Sequence, residues 1–233
     1  MDQRGKPERD LGAVRARGNP FSEEESEVLG ALDDGTPIRF RRITPDDKDL
    51  LQNGFQMLSP QSRYRRFFSM VDHLSEKQLR YFTEVDFVDH YAWIAEIPDG
   101  IGLGVVRWIR LKDESDVAEG AVTVIDTYQN RGIGKALLWL GARSAIEAGI
   151  RAIRVSVLSE NDPVLAWLKE AGAAPGRWSG GVLEVDIPLP HEVDELERSA
   201  LPEVFRATAT GELMAQAEAE GGRAHVKHAG EGA

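Results

Sequence analysis

The stretch from residue 117 to 158 restricts the fold most. It holds an apolar run over 117–125, a two-glycine turn Gln129-Asn130-Arg131-Gly132-Ile133-Gly134, a helical run over 133–148 stopped by Gly149, and a second apolar run over 152–158. Strand, helix and strand in that order make a right-handed crossover, which sets the two strands parallel in one sheet. The remaining elements must be compatible with that unit.

Upstream, residues 38–43 alternate apolar and polar as a half-buried strand does, and Thr44-Pro45-Asp46-Asp47 then supplies an N-cap, a first-turn proline and first-turn acids for a helix to about residue 58. Ser59-Pro60 repeats the start signal, and Ser75-Glu76-Lys77-Gln78 has capping-box spacing for a third helix. Residues 91–97 and 104–111 read as an antiparallel hairpin around Pro98-Asp99-Gly100. A short helix over 163–171 and a final strand over 181–187 complete the series. The expectation is an α/β fold with a mixed central sheet whose N-terminal half is antiparallel. Its domain spans 37–190. Residues 1–36 read as a flexible N-terminal extension in which 21–32 could form a short helix, and 191–233 as an acidic, Ala/Gly-rich tail, helical or disordered and off the core.

The glycine turn carries the chemistry. Two glycines where a strand hands over to a helix let the backbone approach a ligand closely, and the free amides and positive dipole end of a helix start bind anions such as a pyrophosphate. Arg131 and Lys135 add positive charge. Such a turn also occurs where it serves tight packing alone. A dinucleotide fingerprint would need a third glycine where Leu137 stands, and a P-loop would need Ser or Thr where Ala136 stands.

Composition narrows the rest. The chain of 233 residues has no cysteine, which removes thiolate metal sites and a covalent cysteine intermediate. A net charge of -11 argues against a nucleic-acid-binding surface, and no apolar stretch has the length of a membrane span. The five histidines lack metal-ligand spacing, so no metal is expected. Residues 1–10 have no apolar run for a secretory signal, and the location expected is cytoplasmic. Nothing sets the oligomeric state.

The turn Gln129-Asn130-Arg131-Gly132-Ile133-Gly134 resembles the Q/R-x-x-G-x-G/A acetyl-CoA motif of the GNAT acetyltransferase superfamily. The strand before it, Leu137-Leu138 after it and Val157-Leu158-Ser159-Glu160-Asn161 downstream match the family's context, and the likeness covers about residues 38–188. More narrowly, the runs from Leu58 to Phe68 and Ala118-Glu119-Gly120-Ala121 are similar to bacterial protein-lysine acetyltransferases of the Pat type.

The resemblance implies direct attack of an amine on the thioester of bound acetyl-CoA in a ternary complex. The acceptor is a protein lysine, with a small-molecule amine or a non-catalytic acyl-CoA sensor as alternatives. It implies that strands 118–125 and 152–158 splay around the pantetheine arm, with backbone amides of Val122, Thr123 and Val124 as donors and the pyrophosphate held by Gln129, Asn130, Arg131, Gly132, Ile133, Gly134 and Lys135. Asn161 completes the coenzyme contacts. Glu119 is the candidate general base, with Glu96 and Asp126 as fallbacks. Many family members carry a tyrosine acid seven residues after the asparagine, but Leu168 stands there. The run Arg63-Tyr64-Arg65-Arg66-Phe67-Phe68 reads as a helix with its aromatics on the core face and its arginines outside, or as a recognition surface.

Overall fold

The computed structural model describes residues 15–16, 27–98, 100–158, 168, 173 and 176–196. Nine strands form one sheet: β1 (Arg15–Ala16), β2 (Glu27–Ala31), β3 (Pro37–Arg42), β4 (His90–Ile97), β5 (Ile101–Arg110), β6 (Val117–Val124), β7 (Ala152–Leu158), β8 (Arg177–Ser179) and β9 (Val182–Pro188). Their order is β1-β2-β3-β4-β5-β6-β7-β9-β8, and among the described residues the sole parallel pairing joins β6 to β7. That pair flanks α4 (Ile133–Glu147), so the expected crossover is present and the strands before it are antiparallel.

Helices α1 (Lys48–Gln56), α2 (Pro60–Phe67) and α3 (Glu76–Thr83) lie between β3 and β4. The expected start signals hold: Ser59 Oγ accepts from the Ser62 amide, and Ser75 and Gln78 form a reciprocal capping box. A strand's side chains alternate between faces, and β5 shows both sides. Trp108 Nε1 donates to Ser144 Oγ of α4, whereas Arg107 Nη2 donates to the Phe82 carbonyl of α3. Thus α4 covers one face of the sheet and α1–α3 cover the other.

Three expectations change. Residues 27–31 are a strand paired to β3 and not part of a short helix; Val28 is buried between the exposed Glu27 and Leu29, and the open edge of β3 satisfies that alternation. The sheet thereby begins before residue 37. The segment after 190 starts by docking, with α5 (Val193–Leu196) placing Leu196 wholly inside the core. On α2 the packing departs from the expected face: Phe67 is buried, but Tyr64 is exposed and Arg66 points inward. The helix ends at Phe67, and Phe68 turns off in the left-handed region at φ 49°. The helix expected over 163–171 lies outside the described residues except Leu168.

Candidate active site

The parallel ladder between β6 and β7 is short. It pairs Val117 with Ala152, Ala118 with Ile153 and Glu119 with Arg154, and stops there, although β6 runs on to Val124 and β7 to Leu158. Beyond Glu119 the two strands part. At the parting point stands Gly120, where an added Cβ would meet Ile153 Cγ2 at 2.4 Å.

The direction of the free amides follows from the opposite edge of β6. The Ile125 amide donates to the Leu103 carbonyl on the β5 side. By the two-residue period of a strand the Thr123 and Ala121 amides face β5 too, which leaves those of Val122 and Val124 facing the gap. The Thr123 amide, expected among the gap donors, therefore faces β5 instead.

The gap leads to the glycine turn. Asn130 and Gly132 take φ of 58° and 84°, and this left-handed pair curls the backbone so that successive amides converge. Gly132 is the N-cap of α4, and the first intrahelical bond observed is from Ala136 N to Gly132 O. The amides of Ile133 and Gly134 precede that bond at the positive end of the helix and suit an anion. Gln129 Nε2 donates to the Val124 carbonyl and ties the turn to the end of β6. Arg131 lies 5.0 Å over the Tyr128 ring and pairs with Asp34 in the β2–β3 turn. From Glu119 to Val124 the strand covers roughly 17 Å, so the turn and the candidate base lie at opposite ends of one gap.

Glu119 is buried on the face covered by α1–α3. Its charge acts on the Tyr81 hydroxyl together with those of Arg107 and Arg66. Burial pushes the Tyr81 hydroxyl up, and it lowers Arg107 to about 10 and, with repulsion from Arg107, Arg66 to about 9. His90 Nε2 lies 2.9 Å from Arg107 Nη1, an obligate donor, which places the imidazole proton on Nδ1. Burial and then the Arg107 charge lower His90 to about 3, so it is neutral. This group was missed in the sequence because an arginine reads as solvent-facing until its neighbours are known.

Both fallback bases are occupied. Glu96 is 1% exposed and accepts from Arg39 and from both Nε and Nη2 of Arg41; burial would raise its carboxyl, but those bonds outweigh it and hold it low. Asp126 accepts from Ser59 N, Ser59 Oγ and Ser62 Oγ, which likewise outweigh burial and keep it ionised. Leu168 is 2% exposed and belongs to the core. Asn161 lies outside the described residues.

The family model described as "Acetyltransferase (GNAT) family" matches residues 56–173. This chain belongs to the GNAT acetyltransferase family. Its GNAT region is similar to the acetyltransferase Pat of Mycolicibacterium smegmatis, 34% identical over 176 residues that make up 72% of this chain and 53% of the relative. The chain thus spans about half the length of that relative. The crystal structure of the GNAT domain of S. lividans PAT superposes with a TM-score of 0.64 at 33% identity, covering 72% of this chain and all of that one. A cAMP-binding acyltransferase from Mycobacterium smegmatis superposes at 0.50 with 26% identity, covering 78% of this chain and 53% of the other.

Proposed function

We propose that this chain is an acetyl-CoA-dependent N-acetyltransferase whose acceptor is a protein lysine, attacked directly in a ternary complex. The observation that carries the reading is the early end of the β6–β7 ladder, with the amides of Val122 and Val124 facing a gap that runs to an anion-binding helix start. A thioester-bearing arm fits such a gap, because its amide groups need backbone partners and its pyrophosphate needs the turn. The similarity to Pat supports the lysine acceptor.

In the step proposed, the amine nitrogen forms a bond to the thioester carbon and the carbon–sulfur bond breaks. The negative charge that develops on the thioester oxygen is met by a gap-facing amide of β6, a donor worth roughly 3–4 kcal/mol. A lysine-like amine is mostly protonated near neutrality, so Glu119 accepts its proton and coenzyme A leaves as the thiolate. Leu168 offers no acid, and a thiolate needs none.

Calorimetry with acetyl-CoA tests the reading, followed by thiol release with a panel of lysine peptides. At 100 times its dissociation constant the coenzyme stabilises the fold by about 2.7 kcal/mol. Absence of a thermal shift at millimolar acetyl-CoA rejects the assignment. Binding without thiol release from any peptide rejects the lysine acceptor.

A further inference from the structure

Beside the coenzyme gap, between α1–α3 and β4–β6, lies a cavity of about 70 Å³. At about 10–15 Å³ for one water it has room for a few waters or a short carbon chain. Leu51, Phe55, Phe67 and Phe82 make its walls largely apolar, and Arg66, Arg107 and Thr123 interrupt them. Among the described residues the Thr123 hydroxyl oxygen is buried there without a hydrogen-bond partner. A buried hydroxyl in that state destabilises the folded protein, and valine would fill the same space with no such penalty. A threonine at this place is therefore costly to the fold alone.

We propose that the cavity is an acyl pocket and that Thr123 is its specificity-determining residue, pairing its hydroxyl with an oxygen on a short acyl chain. The proposal rests on the acetyl-CoA reading and adds the acyl group to it. Two placements favour the acyl chain over the attacking amine. Thr123 sits between Val122 and Val124, whose amides face the coenzyme gap, so the cavity adjoins the strand edge at which the thioester is held. Glu119 is not among the residues that line the cavity, whereas the attacking nitrogen must reach Glu119. The transfer itself is unchanged: nitrogen bonds to the acyl carbon, the carbon–sulfur bond breaks, and the amine proton passes to Glu119.

The test measures dissociation constants by calorimetry for acetyl-CoA, butyryl-CoA and 3-hydroxybutyryl-CoA with the full chain, Thr123→Val and Thr123→Ser. The expected result is that the unaltered chain binds 3-hydroxybutyryl-CoA about tenfold more tightly than butyryl-CoA, the scale of one added hydrogen bond. Thr123→Val brings that ratio to about one, Thr123→Ser retains it, and Thr123→Val melts about 2–4 °C higher because the unpartnered hydroxyl is gone. Binding of acetyl-CoA without either four-carbon thioester overturns the acyl pocket and leaves the acetyltransferase reading standing. An unchanged ratio in Thr123→Val overturns the role of the hydroxyl. Failure of all three thioesters removes the coenzyme assignment and the pocket together.

Discussion

Three carboxylates are candidates for the base, and their places in the fold separate them. Glu96 is surrounded by Arg39 and Arg41 and Asp126 by two serines, so a proton taken by either would break an ion pair or a helix cap. Glu119 is the one placed where the ladder ends. Glu119→Gln keeps the shape and loses the proton acceptor, so turnover is expected to fall by roughly 10²- to 10⁴-fold while acetyl-CoA affinity holds. Near-normal turnover in steady-state assays would reassign the role. A second residue-level expectation concerns acid. His90 has its folded value depressed to about 3, against about 6.5 in an unfolded chain, so the unfolded state binds the proton first. The stability this gives is complete above about pH 6.5 and is lost as pH falls from there toward 3. His90→Gln, whose carbonyl can still accept from Arg107, should flatten the urea midpoint across that window, by up to about 1.4 kcal/mol per pH unit. Matching slopes in both proteins would show His90 to be charged in the native state.

At the level of elements, the site depends on how a strand end, a turn and a helix start are joined. Gly132 holds φ of 84° at the N-cap of α4, a conformation that a branched residue reaches only with strain of about 1–3 kcal/mol. Gly132→Val is therefore expected to lose acetyl-CoA binding by calorimetry while still unfolding cooperatively in urea. Retained affinity would return the turn to mere packing. The residues of this unit announced themselves because each signal is local: the apolar runs, the paired glycines and the stop at Gly149 act within a few positions of one another. The capped starts at Ser59 and Ser75 were legible for the same reason. Strand β2 was not, since Glu27-Val28-Leu29-Gly30-Ala31 becomes a strand through pairing with β3, a partner local propensity cannot see. Nor was the inward turn of Arg66, which depends on how α2 meets the sheet. The gap itself was anticipated through the family likeness; in the residues alone, 118–125 and 152–158 are two apolar runs, and nothing in either marks Glu119 as the last paired position. Nor does a strand pattern reveal which amides face outward, so the Thr123 amide was counted with those of Val122 and Val124.

On the scale of the whole molecule, one continuous sheet links the two ends of the described chain to the glycine turn. Strands β2 and β3 lie three and more places from β6 in the sheet, yet the turn between them reaches Arg131 through Asp34. Both partners are partly open to solvent, with Asp34 53% and Arg131 32% exposed at the side chain. The chain carries a net charge of -11, and the coenzyme expected at this turn is itself polyanionic. Asp34 thus adds a negative charge beside an anion site and engages the arginine that best offsets it. Asp34→Asn removes the charge but can keep the hydrogen bond that Asp34 Oδ1 accepts from the Thr36 amide, so the β2–β3 turn should survive. Acetyl-CoA affinity measured by calorimetry is then expected to rise about two- to fivefold at low ionic strength, the scale of an exposed charge interaction. At 1 M salt, where the Debye length is about 3 Å, the gain should vanish. A fall in affinity instead would mean that Asp34 holds Arg131 in place for the pyrophosphate, and an equal gain at both ionic strengths would rule out an electrostatic cause.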